Sequence, residues 1–379
     1  MSSDSLPTVW PASCHTLAKH RILASYLKAW MPILSRHFGG RPQQAREVLF
    51  VDGFAGPGKY AGGEDGSPVI AIKAALDHSH SFPVPVSLLF IEQNKERFDH
   101  LLQVIEGLRP QISGSRNIRL LPPEHGDCDT QLRRRLDGAK AFGPALVFLD
   151  QFGYSGVHMG LIAAIMGNPN CEVFSYMNWN RLNPFITDET KWPGLTRAFG
   201  DESWKACLAV HLNQRDEAFR QAYCARLRTA GKSKFVWHFA MCGEGDQLLY
   251  WLFFCTNNLR GLEEMKKAMR EVDDSGSFRF SDADNPDQLS FFKTATPEWL
   301  ADHLHKRYLG TSQTVAEIRE HVLVETPCST FRKVLGTLEM EGRVRIPACA
   351  KDRKKCDFSD DRLRVEFIRG PGVQRSLFP

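Results

Sequence analysis

Short apolar runs that alternate with helical patterns constrain the fold of this chain most strongly. A strand that is apolar along its whole length is buried on both faces, and helices between such strands cover a parallel sheet from both sides. The chain is therefore predicted to be an α/β protein. The predicted strands are 48–51, 86–91, 118–121, 145–149 and 172–177, and the predicted helices are 15–38, 69–76, 96–107 and 130–136.

The sheet is predicted to end in an antiparallel hairpin. After a predicted helical insertion around 178–230, two β-rich runs at 235–241 and 248–256 are joined by a Gly-Glu-Gly-Asp segment, which suits a tight turn. A parallel sheet that ends this way is the usual outline of a class-I methyltransferase, whereas plain dinucleotide-binding sheets usually lack the last hairpin. The predicted fold class is therefore a class-I methyltransferase, Rossmann-like α/β sheet.

The chain is predicted to contain three regions. Residues 1–272 form the sheet domain, and residues 273–310 form a linker and a connecting helix, because 273–286 is rich in Asp, Ser, Gly and Asn. Residues 311–379 are predicted to form a winged-helix module, in which Ser329 is the N-cap of the second helix. The patterns behind this module are two helices at 315–322 and 329–340 and two short strands at 343–346 and 363–368.

The composition is that of a soluble globular protein. The 379 residues are 42% hydrophobic and 24% charged, which allows a large core, and the formal net charge of +4 neither requires nor excludes a nucleic-acid partner. No run approaches the roughly 20 apolar residues of a membrane span, and the N-terminus lacks the apolar run of a secretory signal. The ten cysteines include no C-x-x-C pair, which predicts reduced thiols in a cytoplasmic protein and no metal site.

The strongest local signal is the turn that follows the first predicted strand. Small residues there let the backbone approach a ligand closely. Asp52 begins the turn and would accept hydrogen bonds from a ligand's ammonium group, directly or through water. A purely structural turn is the alternative, because glycine-rich loops are common. The predicted cofactor-binding residues of the turn are Asp52, Gly53, Phe54, Ala55, Gly56 and Gly58.

Two acidic residues at later strand ends extend the predicted cofactor site. Glu92 ends the second strand, where a carboxylate can accept hydrogen bonds from both ribose hydroxyls; a solvated surface carboxylate is the alternative. Asp127 follows the third strand and would accept a hydrogen bond from the adenine amino group; capping of the helix at 130–136 is the alternative. The acid at the start of the turn suits the cationic amino-acid end of S-adenosylmethionine and would repel a pyrophosphate, so S-adenosylmethionine is the predicted cofactor.

The segment after the fourth strand, Asp-Gln-Phe-Gly-Tyr at 150–154, is the candidate reaction site. Amino-directed methyltransferases carry Asp/Asn-Pro-Pro-Tyr/Phe here. The acid or amide and a backbone carbonyl accept hydrogen bonds from the target amine, and an aromatic ring stacks on the base. The predicted catalytic residues are Asp150 and either Phe152 or Tyr154, although both prolines are absent; a strand-end carboxylate beside packed aromatic rings is the alternative. Asn178, after the fifth strand, is predicted to line the substrate pocket.

Basic residues mark two further places. Lys19, on the first predicted helix, could border the cofactor, but a solvated helix face is the preferred interpretation. The segment 343–355 holds six Lys or Arg against one Asp, which suits contacts with phosphates. The alternative is a solvated charge run on a winged helix that binds protein. The predicted nucleic-acid contacts are Arg343, Arg345, Lys351, Arg353, Lys354 and Lys355.

Several motifs together resemble the three-Cys-motif partner protein (TcmP) family over most of the chain. They are Trp10 with the first helix, residues 50–60 continuing to Gly66-Ser67-Pro68, residues 148–154, the hairpin end at 253–257, residues 265–269 and the winged-helix pattern.

The resemblance implies a methyltransferase-like fold and a partner protein with a three-cysteine motif of the kind that binds an iron–sulfur cluster. It implies no defined substrate. The turn at 52–60 also resembles that of ribosomal-RNA adenine-N6 methyltransferases. Gln151 departs from the family's usual Asp-Pro-Phe-Gly, which puts the geometry of the amine acceptor in question.

Two principal hypotheses follow from the sequence. The first is an S-adenosylmethionine-dependent methyltransferase that acts on an amino group, with a nucleic-acid base as the acceptor. The second is a non-catalytic adaptor that binds nucleic acid and recruits the three-cysteine partner. Methylation of the partner protein or of a small molecule is a third interpretation.

Overall fold

A computed structural model describes residues 7–40, 45–78, 82–115, 117–138, 142–153, 156–243, 247–273, 278–281, 296–347 and 353–369. The chain divides into two compact units. One unit comprises Met1–Val272 and Arg279–Asp287, and the other comprises Asp273–Phe278 and Gln288–Pro379. Each unit has a hydrophobic core of its own.

The first unit is built on a twisted, mostly parallel sheet. The strand order is β3-β2-β1-β5-β6-β8-β7-β9, and the short β4 also pairs with β2. The pairs from β3 to β6 are parallel, whereas β8 runs antiparallel to both β6 and β7. This order, with an antiparallel hairpin at its end, is the class-I methyltransferase-like fold that the sequence predicts. The strands are β1 Val48–Asp52, β2 Val86–Glu92, β3 Ile118–Leu120, β4 Glu124–His125, β5 Ala145–Leu149, β6 Cys171–Met177, β7 Phe235–Cys242, β8 Leu248–Thr256 and β9 Arg279–Ser281.

Helices cover both faces of this sheet because its strands are apolar on both sides. Side chains of α4, α5, α7 and α8 share one large buried cluster with alternate residues of the strands. On the other face, α1 packs against α2 and α9. The helices are α1 Cys14–Phe38, α2 Ser67–Leu76, α3 Lys95–Ser113, α4 Cys128–Gly138, α5 Met159–Met166, α6 Trp179–Leu182, α7 Trp192–Phe199, α8 Arg215–Thr229 and α9 Leu259–Arg270, with short 3₁₀ helices at Asn183–Phe185, Glu189–Lys191, Ser203–Leu208 and Leu212–Gln214.

Of the predicted linker at 273–286, the structure describes residues 273 and 278–281, and these include a strand. Arg279–Ser281 forms β9, which pairs in parallel with β7 at Ala240–Cys242. The edge of β7 that faces away from β8 offers N–H and C=O groups, and β9 pairs with those at Ala240–Cys242. Sequence composition alone favoured a linker here because a three-residue strand has no detectable period.

Within its described residues, the second unit has three helices and a three-stranded antiparallel sheet in the order β10-β12-β11. The winged helix stays a prediction for this unit. Leu300 and Leu304 of the predicted connecting helix are buried in the core of this unit. Ser329 was predicted to be the N-cap of α12, and this prediction was wrong. The helix begins at Arg332 and Phe331 is its N-cap, with the Phe331 ring buried in the core of this unit. The elements are α10 Pro297–Tyr308, β10 Ser312–Thr314, α11 Val315–Glu325, α12 Arg332–Met340, β11 Val344–Arg345 and β12 Arg364–Phe367.

None of the helices within the described ranges is both long enough and apolar enough to cross a membrane.

Candidate functional site

The candidate site is a cavity of about 250 Å³ at the carboxyl ends of β1 and β5. The strand order reverses here, since β1 pairs with β2 on one side and with β5 on the other. Ligands of open α/β sheets bind at such a switch point. Two segments that the sequence singled out, the glycine turn and the start of 150–154, border this one cavity. Other side chains in its wall include Trp10, Lys19, Tyr60, Tyr176, Arg181 and Tyr250.

The glycine turn presents backbone to the cavity. Phe54, Ala55, Gly56 and Gly58 line it, and their predicted contact with a cofactor stays a prediction. Gly56 (φ +62°) and Gly58 (φ +83°) adopt left-handed conformations that favour glycine. Gly53 does not line the cavity. A Cβ there would lie 2.5 Å from Cys128 Sγ, so Gly53 is required for packing beneath the turn.

Asp52 lies below the turn rather than in the cavity wall, and its side chain is fully buried. Its Oδ1 accepts a hydrogen bond from the Phe54 backbone N–H at 3.2 Å, while Oδ2 is buried without a hydrogen-bond partner within the described residues. Burial raises the pKa of Asp52 to about 7, and hydrogen bonds from Ser67 and Phe54 oppose the rise. The carboxyl group is therefore only partly ionised near neutral pH.

Glu92 and Asp127 also lie outside the cavity wall. Glu92 is buried, and its two oxygens accept hydrogen bonds from the backbone N–H groups of Gly56 at 2.8 Å and Asn94 at 2.7 Å. It braces the glycine turn, and it is not the solvated carboxylate of the alternative interpretation. Asp127 is exposed and accepts hydrogen bonds from the N–H and hydroxyl of Thr130. This is the capping arrangement that the sequence left open as the alternative.

Asp150 borders the cavity and forms an ion pair with Lys19. Lys19 is 6% exposed, so the prediction of a solvated helix face was wrong for this residue. Tyr60, Tyr176 and Tyr250 surround the pair. Burial is the main cause that raises the pKa of each of these phenols, and the charge of Asp150 adds to the rise in each. The acid therefore sits in a partly desolvated, aromatic environment.

Lys19 could have been found in the sequence. It lies three and four residues before Ile22 and Leu23, and hence on the apolar stripe of the helix. A lysine on that stripe must bury its ammonium group beside a partner or reach past the stripe to water.

Aromatic rings form the mouth of the cavity. Phe152 is 46% exposed and packs edge to face on Trp10 at 5.9 Å between ring centroids. The Arg97 guanidinium lies over both rings, at 4.9 Å from Trp10 and 5.4 Å from Phe152. Phe152 thus keeps an accessible face, whereas Tyr154, the other predicted aromatic, lies outside the described residues.

Asn178 also lines the cavity, and its role in a substrate pocket stays a prediction. Its side chain caps α6 by accepting a hydrogen bond from the Arg181 N–H at 3.0 Å, and its own N–H donates to the Gly153 carbonyl at 3.3 Å. The residue therefore joins the end of β6 to the loop that follows β5.

The predicted basic wing in the second unit is largely neutralised. Within the described residues, each of its three arginines pairs with a carboxylate, whereas Lys354 and Lys355 are exposed. Lys351 lies outside the described residues. These pairs offset part of the positive charge that the sequence predicts for a phosphate-binding surface. The pairs are Arg343 with Asp302 and Glu341, Arg345 with Glu366, and Arg353 with Glu339.

The strand order and the switch-point cavity define a class-I methyltransferase-like protein by architecture. No protein-family model and no curated protein matches the sequence. Among solved structures, the chain is similar to precorrin-6y C5,15-methyltransferase from Geobacter metallireducens (10% identity, 60% of this chain and 87% of that chain, TM-score 0.26) and to a putative O-methyltransferase from Klebsiella pneumoniae (13%, 65% and 92%, 0.27). It is also similar to a possible exported protein from Bordetella parapertussis (12%, 60% and 66%, 0.28). These TM-scores are low, and the fold assignment rests on the strand order.

Proposed function

We propose that the chain is an S-adenosylmethionine-dependent methyltransferase that acts on an amino group, with a nucleic-acid base as the acceptor. One observation carries the proposal: a single cavity joins the glycine turn at Phe54–Gly58 to Asp150 at the end of β5. Methyl transfer needs the donor and the nucleophile in contact, and a shared cavity over neighbouring strand ends provides for both.

The residues present fit the amino-acid end of the donor. The Lys19 ammonium group lies in the cavity wall, where it complements the carboxylate of the donor. Asp52 Oδ2, a buried acceptor without a partner in the described residues, adds negative potential beneath the turn. Glu92 is not in the cavity wall, and both of its oxygens accept hydrogen bonds from backbone N–H groups, so the ribose contact predicted for it stays a prediction.

The bound donor supplies a methyl group on a cationic sulfur, and the remaining chemistry falls to residues of this chain. Asp150 uses Oδ2 in the ion pair with Lys19, so we assign Oδ1 as the acceptor of a hydrogen bond from the target amine. The same Oδ1 would take up the proton that the acceptor nitrogen loses when it is methylated. The accessible face of Phe152 is suited to stacking on a planar base.

Cofactor binding is tested at Gly56. A Cβ at this position meets no atom within 4 Å, and asparagine tolerates the left-handed conformation, so Gly56→Asn should fold while its side chain projects into the cavity. We expect the wild type to bind S-adenosylhomocysteine with a micromolar Kd in calorimetric titration, on the order of a typical cofactor. The variant should bind at least about tenfold more weakly, which corresponds to about 1.4 kcal/mol.

Gly310→Asn is the matched control. Gly310 is also left-handed (φ +80°) with no atom within 4 Å of an added Cβ, and it belongs to the second unit. Its substitution should leave the Kd unchanged. Equal affinities for Gly56→Asn and the wild type, or a folded wild type that binds neither S-adenosylmethionine nor S-adenosylhomocysteine, would refute the cofactor assignment.

The acceptor is tested by transfer of a labelled methyl group to separated RNA, DNA, protein and small-molecule fractions. We expect the label on nucleic acid, in a base whose exocyclic amine carries the new methyl group. Asp150→Ala should abolish transfer, because it removes the amine acceptor, while S-adenosylhomocysteine binding persists in weakened form. Label confined to the protein or small-molecule fraction would exclude the nucleic-acid acceptor.

The adaptor is the second candidate, and one observation favours it: neither Glu92 nor Asp127, both predicted to contact the cofactor, lines the cavity. An adaptor needs no cofactor. A comparison of two variants in cells distinguishes the enzyme from the adaptor. If cells with Asp150→Ala keep the wild-type phenotype while cells with Lys354→Glu and Lys355→Glu together lose it, the adaptor function is supported and the enzyme is not.

A further inference from the structure

We propose that Gln151 is a positioning residue, whose buried side-chain amide holds the strand-end segment 150–153 in the geometry that presents Asp150 to the acceptor. The proposal rests on the proposed function only for its catalytic consequence. Gln151 stands where the family resemblance leads one to expect proline, and it lines the cavity with its neighbours Asp150 and Phe152.

The Gln151 side chain makes three hydrogen bonds although it is only 3% exposed. Its Oε1 accepts from the backbone N–H groups of Gly156 at 2.7 Å and Val157 at 2.9 Å. Its Nε2 donates to the Tyr176 carbonyl at 3.1 Å. The set fixes the orientation of the amide, because a flipped amide would place its NH₂ group against two N–H donors.

These bonds connect three parts of the site. Residues 156–157 are where the chain returns toward α5, and Tyr176 lies on β6 with its ring in the cavity wall near Asp150. Gln151 itself directly follows Asp150. One side chain therefore ties the end of β5, the return of its loop and the neighbouring strand together. We expect loss of these bonds to loosen the backbone on which Asp150 is placed.

The arrangement replaces what a proline would provide. Proline restricts the backbone by fixing φ through its ring, but it has no side-chain donor or acceptor. Gly153, two residues later, adopts φ +111°, which leaves the backbone here inherently permissive. Hydrogen bonds to and from a buried amide supply a comparable restraint, and the amide oxygen also accepts from the backbone N–H groups of Gly156 and Val157.

The test compares three substitutions. Gln151→Leu removes all three bonds at similar volume. Gln151→Glu keeps both acceptor interactions, and only its protonated form can donate to the Tyr176 carbonyl. Gln221→Leu, on the exposed side of α8, is the control for a glutamine-to-leucine change. The readouts are hydrogen exchange of the Gly156 and Val157 amides, the Kd for S-adenosylhomocysteine, and kcat and KM for methyl transfer.

For Gln151→Leu we expect the Gly156 and Val157 amides to exchange at least about 100-fold faster and kcat to fall at least about tenfold, because a buried set of hydrogen bonds is lost. The Kd for S-adenosylhomocysteine should stay within about threefold of the wild-type value. Gln151→Glu should keep both amides protected. Its kcat should recover relative to the wild type as the pH is lowered, because protonation restores the donor. Gln221→Leu should change none of these quantities.

The proposal is overturned if Gln151→Leu leaves the two amides protected, or if kcat stays within about twofold of the wild type. It is also overturned if kcat and the affinity for S-adenosylhomocysteine both fall by the same factor as the fraction of folded protein. That result would indicate a purely structural role. A wild type that transfers no methyl group would refute the proposed function instead, and the exchange rates of Gly156 and Val157 would still decide whether Gln151 restrains this segment.

Discussion

At the scale of the residue, an ionisable side chain occupies a buried position that usually holds an apolar one. Asp52 is fully buried at the end of β1, and one of its oxygens has no hydrogen-bond partner within the described residues. Removing an ionised carboxylate from water is unfavourable, which is why its pKa rises to about 7. Such a group lowers stability, and a cationic ligand bound above it would recover part of that loss.

Asp52→Asn should therefore gain stability relative to the wild type as the pH rises. The unfolded carboxyl ionises near pH 4, whereas the folded one holds its proton to about pH 7, so the wild type loses stability across this interval and the amide does not. From pH 5 to pH 8, the unfolding free energy of the variant minus that of the wild type should increase by about 3 kcal/mol. Urea denaturation at both pH values measures it.

Asp188→Asn provides the comparison for this effect. Hydrogen bonds from the Thr190 hydroxyl and N–H lower the pKa of Asp188, so this residue is ionised in both folded and unfolded protein above pH 5. Its substitution should give the same stability difference at pH 5 and pH 8. A flat result for Asp52→Asn as well would contradict the burial of an ionisable group at that position.

At the scale of the element, the contact of α1 and α9 with the sheet is organised around a second buried acid. Glu172 on β6 accepts hydrogen bonds from the Tyr26 hydroxyl at 2.5 Å and the Thr256 hydroxyl at 2.6 Å. Burial raises the pKa of Glu172, and these bonds oppose the rise. Gly261 of α9 makes room for the carboxylate, because a Cβ there would overlap Glu172 Oε1.

Gly261→Ala should therefore destabilise the protein, although alanine is the better helix former. We expect a loss of about 1–3 kcal/mol, typical of overpacking in a rigid interior, in urea-induced unfolding. Gly107→Ala in α3 is the control, since an added Cβ there meets no atom within 4 Å and should be neutral or stabilising. A Gly261→Ala variant as stable as the control would show that α9 can shift away from β6 at little cost.

At the scale of the whole molecule, the chain is divided into two units with separate cores. The first core joins the sheet to α4, α5, α7 and α8, and the second joins α10, α11 and α12 to β12. A unit that buries its own apolar surface can fold by itself. The proposed cofactor cavity lies within the first unit.

Separately produced fragments 1–287 and 288–379 should accordingly each show a cooperative thermal transition by circular dichroism. The first fragment should bind S-adenosylhomocysteine with the Kd of the full chain, because each residue named in the cavity wall belongs to it. A first fragment that folds but fails to bind would show that the cofactor site depends on the second unit.

Periodic patterns in the sequence determined the elements and their order. The 145–149 and 248–256 strands coincide with β5 and β8, and the hairpin after the parallel strands identifies the sheet type. Such patterns are local, because each strand or helix exposes and buries residues at its own period whatever its partners are. Asp150 and Phe152 were likewise located by their place after a strand.

Only the tertiary structure decided which of these residues share a cavity. The Lys19–Asp150 pair joins residues 131 positions apart, and nothing in either local pattern specifies the other. Glu92 and Asp52 were correctly placed at strand ends, yet packing turned Glu92 onto the Gly56 backbone and sealed Asp52 beneath it. The sequence encodes the elements through short-range periodicity, whereas side-chain partners depend on how distant elements pack, and that is settled only when the core closes.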